Sequence, residues 1–229
     1  MLYSDFITKS VTGFETVEGE SRFQGKTVLK YSISCPKTDI NLRIPSEKII
    51  NSAYARLANS TKRYIINNYY SKAVKLFCTV EQKDFAPLEI MCEMTVMYEN
   101  RGFLSLFFDT YEKTGDIVLK SSRKSDTWSV RCGKILPIGC FFVMGYDYRR
   151  AIEGKIRSMI ERELGEGETK YFSDWQCILS RELDMRNFYL ADDGLVIYFQ
   201  EYSLAPKDAG LPSFLIPYRF FGSNLKYDL

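Results

Sequence analysis

The segment of residues 46–77 constrains the fold of this chain more than any other part of the sequence. It reads SEKIINSAYARLANSTKRYIINNYYSKAVKLF, follows Pro45, and repeats apolar residues at the spacing of one helix face. The residues on that face are Ile50, Ala53, Tyr54, Leu57, Ala58, Tyr64, Ile65, Tyr69, Ala73 and Leu76. We therefore predict one long amphipathic helix, either continuous or broken near Asn59 and Ser60.

Strand patterns lie on both sides of this predicted helix. Before it, KTVLKYSISC alternates apolar and polar residues, which predicts a half-buried strand. Its apolar face consists of Leu29, Tyr31, Ile33 and Cys35. After the helix, the apolar runs LEIMCEMTVMY and GFLSLFFDTY are joined by a short polar connection that contains Gly102, where a positive φ costs little. We expect these two runs to form an antiparallel hairpin.

A second, shorter amphipathic helix is predicted from DYRRAIEGKIRSMIERELGEG, which ends at Gly165 and Gly167. Its apolar face consists of Tyr148, Ile152, Ile156, Met159 and Ile160. A short helical piece near residues 174–183 follows, and NFYLADDGLVIYFQEY then reads as a strand, an Asp-Asp-Gly turn and a second strand. This order predicts an α+β fold class, with one long and one shorter amphipathic helix packed on antiparallel sheets.

The polar stretch EKTGDIVLKSSRKSDTW is the best candidate for a boundary between two α/β halves. We assign residues 1–125 to an N-terminal half made of a strand, the long helix and a hairpin. Residues 126–229 form a C-terminal half made of a strand, a helix, a hairpin and a terminal strand.

The charge of the chain argues against nucleic acid as a partner. Its net charge of +2 comes from 31 basic and 29 acidic residues spread along the whole length, so no basic stripe is available for phosphate groups. The opening MLYSDFITKS lacks the features of a secretory signal, and the longest apolar run, around residues 138–144, is too short to cross a membrane. We expect a soluble, cytoplasmic protein with no membrane contact.

The six cysteines are scattered without a C-x-x-C pair. Several lie in apolar strand patterns, so we expect buried small hydrophobic residues with reduced, slowly reacting thiols. They are Cys35, Cys78, Cys92, Cys132, Cys140 and Cys177.

Most catalytic chemistry is missing from the sequence. The chain has no histidine, which removes Ser-His and Cys-His pairs and histidine-based zinc sites, and it has no glycine-rich nucleotide motif. We therefore expect no enzyme activity, no cofactor and no metal. The alternative is a carboxylate-dependent enzyme acting on glycans through Asp192, Asp193 and Glu201, although Asp192-Asp193-Gly194 also has the composition of a hairpin turn.

The candidate partner-binding loop follows the last predicted hairpin strand. Pro206 fixes φ, Gly210 allows an unusual backbone angle, and Lys207 and Asp208 are too polar to bury unpaired. We therefore expect an exposed and comparatively rigid loop, which is either a recognition site or only a turn. The secondary candidates for partner contacts are Trp128, Trp175 and Tyr218. Both tryptophans stand in polar surroundings, which favours the surface, and a position in the core is the alternative.

The segment NFYLADDGLVIYFQEYSLAPKDAGLPSFLIPY and the helix before it resemble the C-terminal domain of the RsiV-like family, which includes lysozyme-sensing anti-sigma factors and many uncharacterised bacterial domains. Upstream, the strand, long helix and hairpin ending in YEKTG resemble the domain that precedes it in that family and in some polysaccharide deacetylases. The resemblance covers residues 26–218 and implies a binding or sensing domain.

The sequence departs from that family in its binding features. TGDIVLK stands where the family usually has Gly-Gly-Ala-His, and Lys207-Asp208 stands where the family loop carries an aromatic tip. RsiV-like members are usually anchored in a membrane, and this sequence shows no anchor. We therefore expect a non-catalytic cytoplasmic domain that binds a protein partner, with lysozyme binding absent or weak. A structural protein whose oligomer is the function is a further alternative.

Overall fold

The computed structural model describes residues 11–38, 46–81, 85–167 and 170–229. The helices are α1 (Ser46–Thr79), α2 (Tyr148–Gly165), α3 (Trp175–Glu182) and α4 (Tyr218–Phe221), with 3₁₀ turns at Ile138–Phe141, Lys207–Ala209 and Gly222–Asn224. The strands are β1 (Val11–Phe23), β2 (Lys26–Thr38), β3 (Leu88–Asn100), β4 (Phe103–Thr114), β5 (Ile117–Ser129), β6 (Lys134–Ile135), β7 (Phe188–Ala191), β8 (Gly194–Tyr198) and β9 (Ser213–Pro217). The predicted α+β fold class is confirmed.

Helix α1 is one continuous helix of 34 residues. The side chains of Asn59 and Ser60 hydrogen-bond backwards to the carbonyl oxygens of Ala55 and Leu57, at 3.0 and 2.9 Å, so they follow the helix instead of breaking it. The buried stripe contains Ile50, Tyr54, Ala58, Ile65 and Ala73. The inward position predicted for Tyr64 is wrong: its side chain is 58% exposed, because Ile65 fills the inward position on that turn.

A six-stranded sheet has the order β1-β2-β3-β4-β5-β6. Strands β1 and β2 are antiparallel, and β2 pairs in parallel with β3, with Leu29 opposite Leu88. The predicted apolar face of β2 is confirmed, since each of its side chains is at most 7% exposed: Leu29, Tyr31, Ile33 and Cys35. The connection between β3 and β4 has left-handed φ angles at Arg101 (52°) and Gly102 (84°), as in a two-residue hairpin turn.

The polar stretch after β4, which the sequence indicated only as a boundary between two halves, is a strand. Residues Ile117–Ser129 form β5, reached through a turn in which Gly115 has φ 55°. The first four residues of β5 are exposed, and Thr127 and Trp128, near the end of the strand, are its only buried residues. A strand that is partly exposed to solvent on both faces shows little alternation of apolar and polar residues, so the sequence pattern does not predict it.

The chain forms two compact units. The first comprises the described part of Met1–Thr95 with Phe108–Ser121 and Val130–Gly133, and the second comprises Val96–Phe107, Ser122–Ser129 and Lys134–Leu229. Each of β3, β4 and β5 therefore contributes residues to both units. The boundary at residue 125, which divides the sequence into an N-terminal and a C-terminal half, stays a prediction.

The core of the second unit lies between α2 and the three-stranded antiparallel sheet β7-β8-β9. Helix α2 starts at residue 148 as predicted, with Asp147 accepting a hydrogen bond from the N–H of Arg150 at 3.1 Å. Its fully buried residues are Ile152, Ile156 and Ile160. They belong to one cluster with large apolar side chains of the sheet, among them Leu195, Ile197 and Phe214.

Hydroxyl groups from β4 and β5 close the outer edge of β7. Ser105, which is fully buried, accepts a hydrogen bond from the N–H of Leu190 at 2.9 Å and shares one with the hydroxyl of Thr127 at 2.7 Å. The hydroxyl of Ser125 donates to the carbonyl oxygen of Phe188. Two of the outward main-chain groups of this short strand, the N–H of Leu190 and the carbonyl of Phe188, are thereby satisfied without a further strand.

The burial expected for the cysteines is confirmed for Cys35 and Cys92 and wrong for three others. Cys140 is half-buried, and the exposed thiols are those of Cys78, Cys132 and Cys177. Two of these three lie on the outer faces of helices α1 and α3, where helical spacing and not strand alternation decides exposure. Burial raises the pKa of the Cys35 thiol to about 11.

Among the helices of the described residues, none combines the length and the apolar character that crossing a lipid bilayer requires.

Candidate functional site: the loop between β8 and β9

The loop of residues 200–210 connects the last two strands of the β7-β8-β9 sheet. At its base, the N–H of Phe199 donates to the carbonyl oxygen of Pro212 at 2.8 Å and continues the β8–β9 ladder. Inside the loop, Leu204 and Ala205 are fully buried, and the carbonyl oxygen of Leu204 accepts from the N–H of Phe172 at 3.3 Å. The loop is therefore held at both its base and its middle.

The side chain of Gln200 fixes the loop to β5. Its amide oxygen accepts from the N–H of Arg123 at 3.0 Å, and its amide nitrogen donates to the carbonyl oxygen of Arg123 at 2.7 Å. A side-chain amide that bonds both main-chain groups of one residue acts like a short piece of paired strand. The hydroxyl of Ser203 donates to the carbonyl oxygen of Gln200 at 2.7 Å and tightens the same turn.

The tip of the loop has the exposure and the backbone predicted from the sequence. Pro206, Lys207 and Asp208 are exposed, and Lys207–Ala209 is a single 3₁₀ turn closed by hydrogen bonds at 3.0 and 2.9 Å. Gly210 ends the turn with φ 68° and ψ −135°, a conformation that side chains disfavour. Whether the tip binds a partner stays a prediction.

Sequence analysis missed Tyr202 in this loop. Its side chain is 68% exposed and its φ is 62°, the left-handed region that non-glycine residues enter at a cost of about 1–2 kcal/mol. The ring packs edge-on against Phe172, with 5.4 Å between centroids. Its only sequence signal was an aromatic residue placed after the end of a strand. The loop therefore presents an aromatic side chain in addition to the charged tip.

A polar groove of about 410 Å³ lies beside the base of the loop, next to Gln200 and Ser203. Its carboxylates are already paired with arginine: Arg181 with Glu182 at 2.8 Å and Arg186 with Asp184 at 2.7 Å. The hydrogen bonds from Arg186 hold the pKa of Asp184 below its ordinary value. The charged lining residues are Arg149, Arg181, Glu182 and Asp184. The groove is thus polar and close to charge balance.

The carboxylates singled out for glycan chemistry lie at turns. Asp192 and Asp193 are exposed and form the connection between β7 and β8, where Ala191 pairs with Gly194. Glu201 lies in the 200–210 loop and is half-buried. Within the part of the chain that the structure describes, no three acidic, cysteine or histidine side chains are grouped as metal ligands.

The surface position expected for the two tryptophans is wrong. Trp128 and Trp175 are each 4% exposed. Trp128 lies where β5 pairs with β6, opposite Ile135, and Trp175 starts α3 with its ring in the core of the second unit. Each tryptophan has polar neighbours in sequence, and Thr127 beside Trp128 is itself buried, so the composition of the flanking residues gave a misleading signal.

Tyr218 is half-buried, and its hydroxyl donates to the carbonyl oxygen of Ala191 at 2.8 Å. Burial raises the pKa of Tyr218, so the phenol stays protonated over the physiological range. This hydroxyl is committed to the fold. A partner contact by Tyr218 stays a prediction.

A second polar cluster, in the first unit, also escaped the sequence analysis. The side chain of Glu112 is only 8% exposed and accepts hydrogen bonds from Tyr69 and Lys72, each at 2.7 Å. Burial acts to raise the pKa of Glu112, but these two hydrogen bonds outweigh it and hold the pKa below its ordinary value. Burial and the same hydrogen bond raise the pKa of Tyr69. The cluster anchors α1 to β4.

The loop lies inside a segment with a recognisable family pattern. Residues 141–219 match the family described as protein of unknown function DUF3298. The DUF3298 segment contains α2, α3, the β7-β8-β9 sheet and the 200–210 loop, but not β4 or β5. No curated protein matches the chain.

Solved structures of DUF3298 proteins share this fold over nearly the whole chain. A member from Bacteroides fragilis is 15% identical, with a TM-score of 0.62 and coverage of 95% of each chain. A DUF3298 protein from Pseudomonas aeruginosa is 16% identical, with a TM-score of 0.61 and coverage of 93% of this chain and 94% of the other. At these identities the likeness shows the fold alone.

Proposed function

We propose that this protein is a non-catalytic binding or sensing domain of the RsiV-like type, which recognises a protein partner in the cytoplasm through the 200–210 loop. The observation that carries the proposal is the exposure of Tyr202 and of the Lys207–Asp208 tip on one fixed loop. A left-handed φ at an exposed tyrosine costs free energy, and such strain collects at functional positions.

The anchoring of the loop supports recognition over a plain turn. A two-residue turn would suffice to join antiparallel strands, whereas this chain uses residues 199–212 and fixes them through Gln200, Leu204 and Ala205. A loop that is ordered before binding loses less conformational entropy when a partner docks. Tyrosine is also enriched among the residues that contribute most to binding at protein interfaces.

The test compares partner capture by loop variants. The double variant Lys207→Ala/Asp208→Ala should leave the free energy of unfolding within about 0.5 kcal/mol of the parent, as is usual for exposed positions. Tyr202→Ala also loses the ring contact with Phe172 and should lower the free energy of unfolding by about 0.5–1.5 kcal/mol. Both should reduce capture of the native partner from cytosol, measured by quantitative mass spectrometry. Capture should also fall with added salt, because part of the contact is ionic.

A matched control is available on α2. Arg162 and Glu166 form an ion pair whose side chains are 65% and 67% exposed. The double variant Arg162→Ala/Glu166→Ala removes the same charges from another surface and should capture the partner as the parent does. If the loop variants capture it equally well, the loop is only a turn and the proposal is wrong.

We also expect lysozyme to bind weakly or not at all, because the loop tip carries Lys207 and Asp208 where the RsiV-like family has an aromatic residue. Surface plasmon resonance with immobilised lysozyme tests this directly. Tight binding that Lys207→Ala/Asp208→Ala abolishes would contradict the expectation and extend the sensing role of the family to this chain.

A further inference from the structure

Strand β9 leaves main-chain groups at the free edge of the β7-β8-β9 sheet. The hydrogen bond from Phe199 N–H to the Pro212 carbonyl fixes the alternation of the ladder, in which every second residue of β9 bonds to β8. The remaining residues turn their N–H and carbonyl groups away from β8. They are Ser213, Leu215 and Pro217, the last of which has no N–H and lies directly before α4. The side chains of Ser213 and Leu215 are exposed, and across the described residues no hydrogen bond reaches their outward main-chain groups.

The two edges of the sheet are treated differently. At β7, the outward N–H of Leu190 and the outward carbonyl of Phe188 are bonded by Ser105 and Ser125. At β9, the equivalent groups of Ser213 and Leu215 have no such cover, and neither residue carries a charge that would discourage pairing. The open edge also continues directly from the 200–210 loop.

A row of apolar side chains crosses the sheet and ends at this edge. Tyr189 lies opposite Val196, and Val196 lies opposite Leu215. The first two are buried with Met97 and Phe107 packed on them, whereas Leu215 is 40% exposed. A further strand would place a side chain beside Leu215 and extend the buried row by one position.

We propose that β9 is the docking edge for an extended segment of the partner protein, which adds as a fourth strand to the sheet. The segment would donate to and accept from the main-chain groups of Ser213 and Leu215, and would set an apolar side chain against Leu215. The inference rests on the proposed binding function and identifies the main-chain groups of β9 as the ones that the partner binds. The charges at Lys207 and Asp208 then lie next to one end of the added strand.

A second copy of this chain fits the edge less well than a partner segment does. In a twofold β9–β9 pair centred on Leu215, Pro217 of one copy would face Ser213 of the other, and Pro217 has no N–H to donate. An edge of five residues also buries far less than the roughly 1,000 Å² that a stable interface needs. A short peptide segment need not place a proline opposite Ser213, and it does not need the large interface of a stable dimer.

The experiment uses peptides selected from a random phage-displayed library on the whole protein, then synthesised and measured by fluorescence anisotropy. Leu215→Pro removes one outward N–H and leaves the ladder to β8 intact, because that N–H does not bond β8. It should weaken peptide binding at least about tenfold. N-methylation of alternate peptide amides should have the same effect on the unaltered protein, which avoids any question of folding. Binding should also slow hydrogen exchange at the Leu215 amide.

The outcomes separate this inference from the loop proposal. Loss of binding with Leu215→Pro but not with Lys207→Ala/Asp208→Ala supports the β9 edge and counts against the loop. The reverse result supports the loop and overturns the edge. The edge is also overturned if no peptide is selected, if N-methylation has no effect, or if sedimentation shows a dimer that Leu215→Pro dissociates.

Discussion

Replacing Ser105 with alanine removes one oxygen atom from the protein. We expect this small change to destabilise the second unit strongly. Ser105 is fully buried, accepts from Leu190 N–H at 2.9 Å and shares a hydrogen bond with Thr127 at 2.7 Å. Ser105→Ala leaves both groups without a partner, and Thr127 is itself only 1% exposed, so water cannot replace the lost oxygen. Each buried unsatisfied group costs about 1–3 kcal/mol, which gives about 2–4 kcal/mol for the pair after allowing for non-additivity.

Urea unfolding followed by tryptophan emission measures this loss. Both tryptophans, Trp128 and Trp175, are buried in the second unit, so their emission reports that unit. With a urea dependence of about 2 kcal/mol per molar, the middle of the usual range, the midpoint should fall by roughly 1–2 M. Ser213→Ala, at the open edge of the same sheet, is the matched control and should change stability by less than about 0.5 kcal/mol.

A double variant distinguishes the hydrogen bonds from simple packing. Adding Thr127→Val to Ser105→Ala removes the orphaned hydroxyl and should recover about 1 kcal/mol. The closure of the β7 edge is not a source of stability if Ser105→Ala lowers the free energy of unfolding no more than Ser213→Ala does. The same conclusion follows if the double variant loses as much free energy of unfolding as the two single variants lose together.

Further predictions concern thiol reactivity and pH. Titration of the native protein with an aromatic disulfide reagent should find Cys35 and Cys92 unreactive until denaturation, with prompt reaction at the exposed thiols; slow reaction at all six would contradict the exposure found here. Because the folded pKa of Glu112 is lowered, its contribution to stability is present above its ordinary pKa and is lost as pH falls through the lowered value. The difference in unfolding free energy between the parent and Glu112→Gln should therefore shrink between about pH 7 and about pH 3, and a constant difference in urea titrations would refute the argument.

Local periodicity carried most of the correct predictions. Helices α1 and α2, the alternation of β2 and the turns at Gly102 and Gly194 each depend on a few neighbouring residues, so their signals are complete within short windows. The exposed, charged loop tip at Lys207 and Asp208 was predictable for the same reason, since flanking Pro206 and Gly210 restrict the backbone locally.

Burial that depends on distant residues could not be predicted in the same way. Trp128 is buried although the polar residues Ser125 and Asp126 precede it. Strand β5 itself has too many polar residues to show a period, and it forms because β4 offers a partner. The left-handed φ of Tyr202, which lies between the anchored residues Gln200 and Leu204, has no signal in the local sequence.

The closure of β7 by Ser105 and Ser125 has a consequence for inheritance. Residues 141–219 carry the DUF3298 pattern, yet both serines lie outside that stretch, in β4 and β5. A recombination event that moved only residues 141–219 into another gene would leave main-chain groups of β7 without hydrogen-bond partners. Such an unprotected edge strand promotes aggregation. The unit that can move between proteins without exposing this edge is therefore longer than the 141–219 segment that carries the family pattern, because it includes β4 and β5.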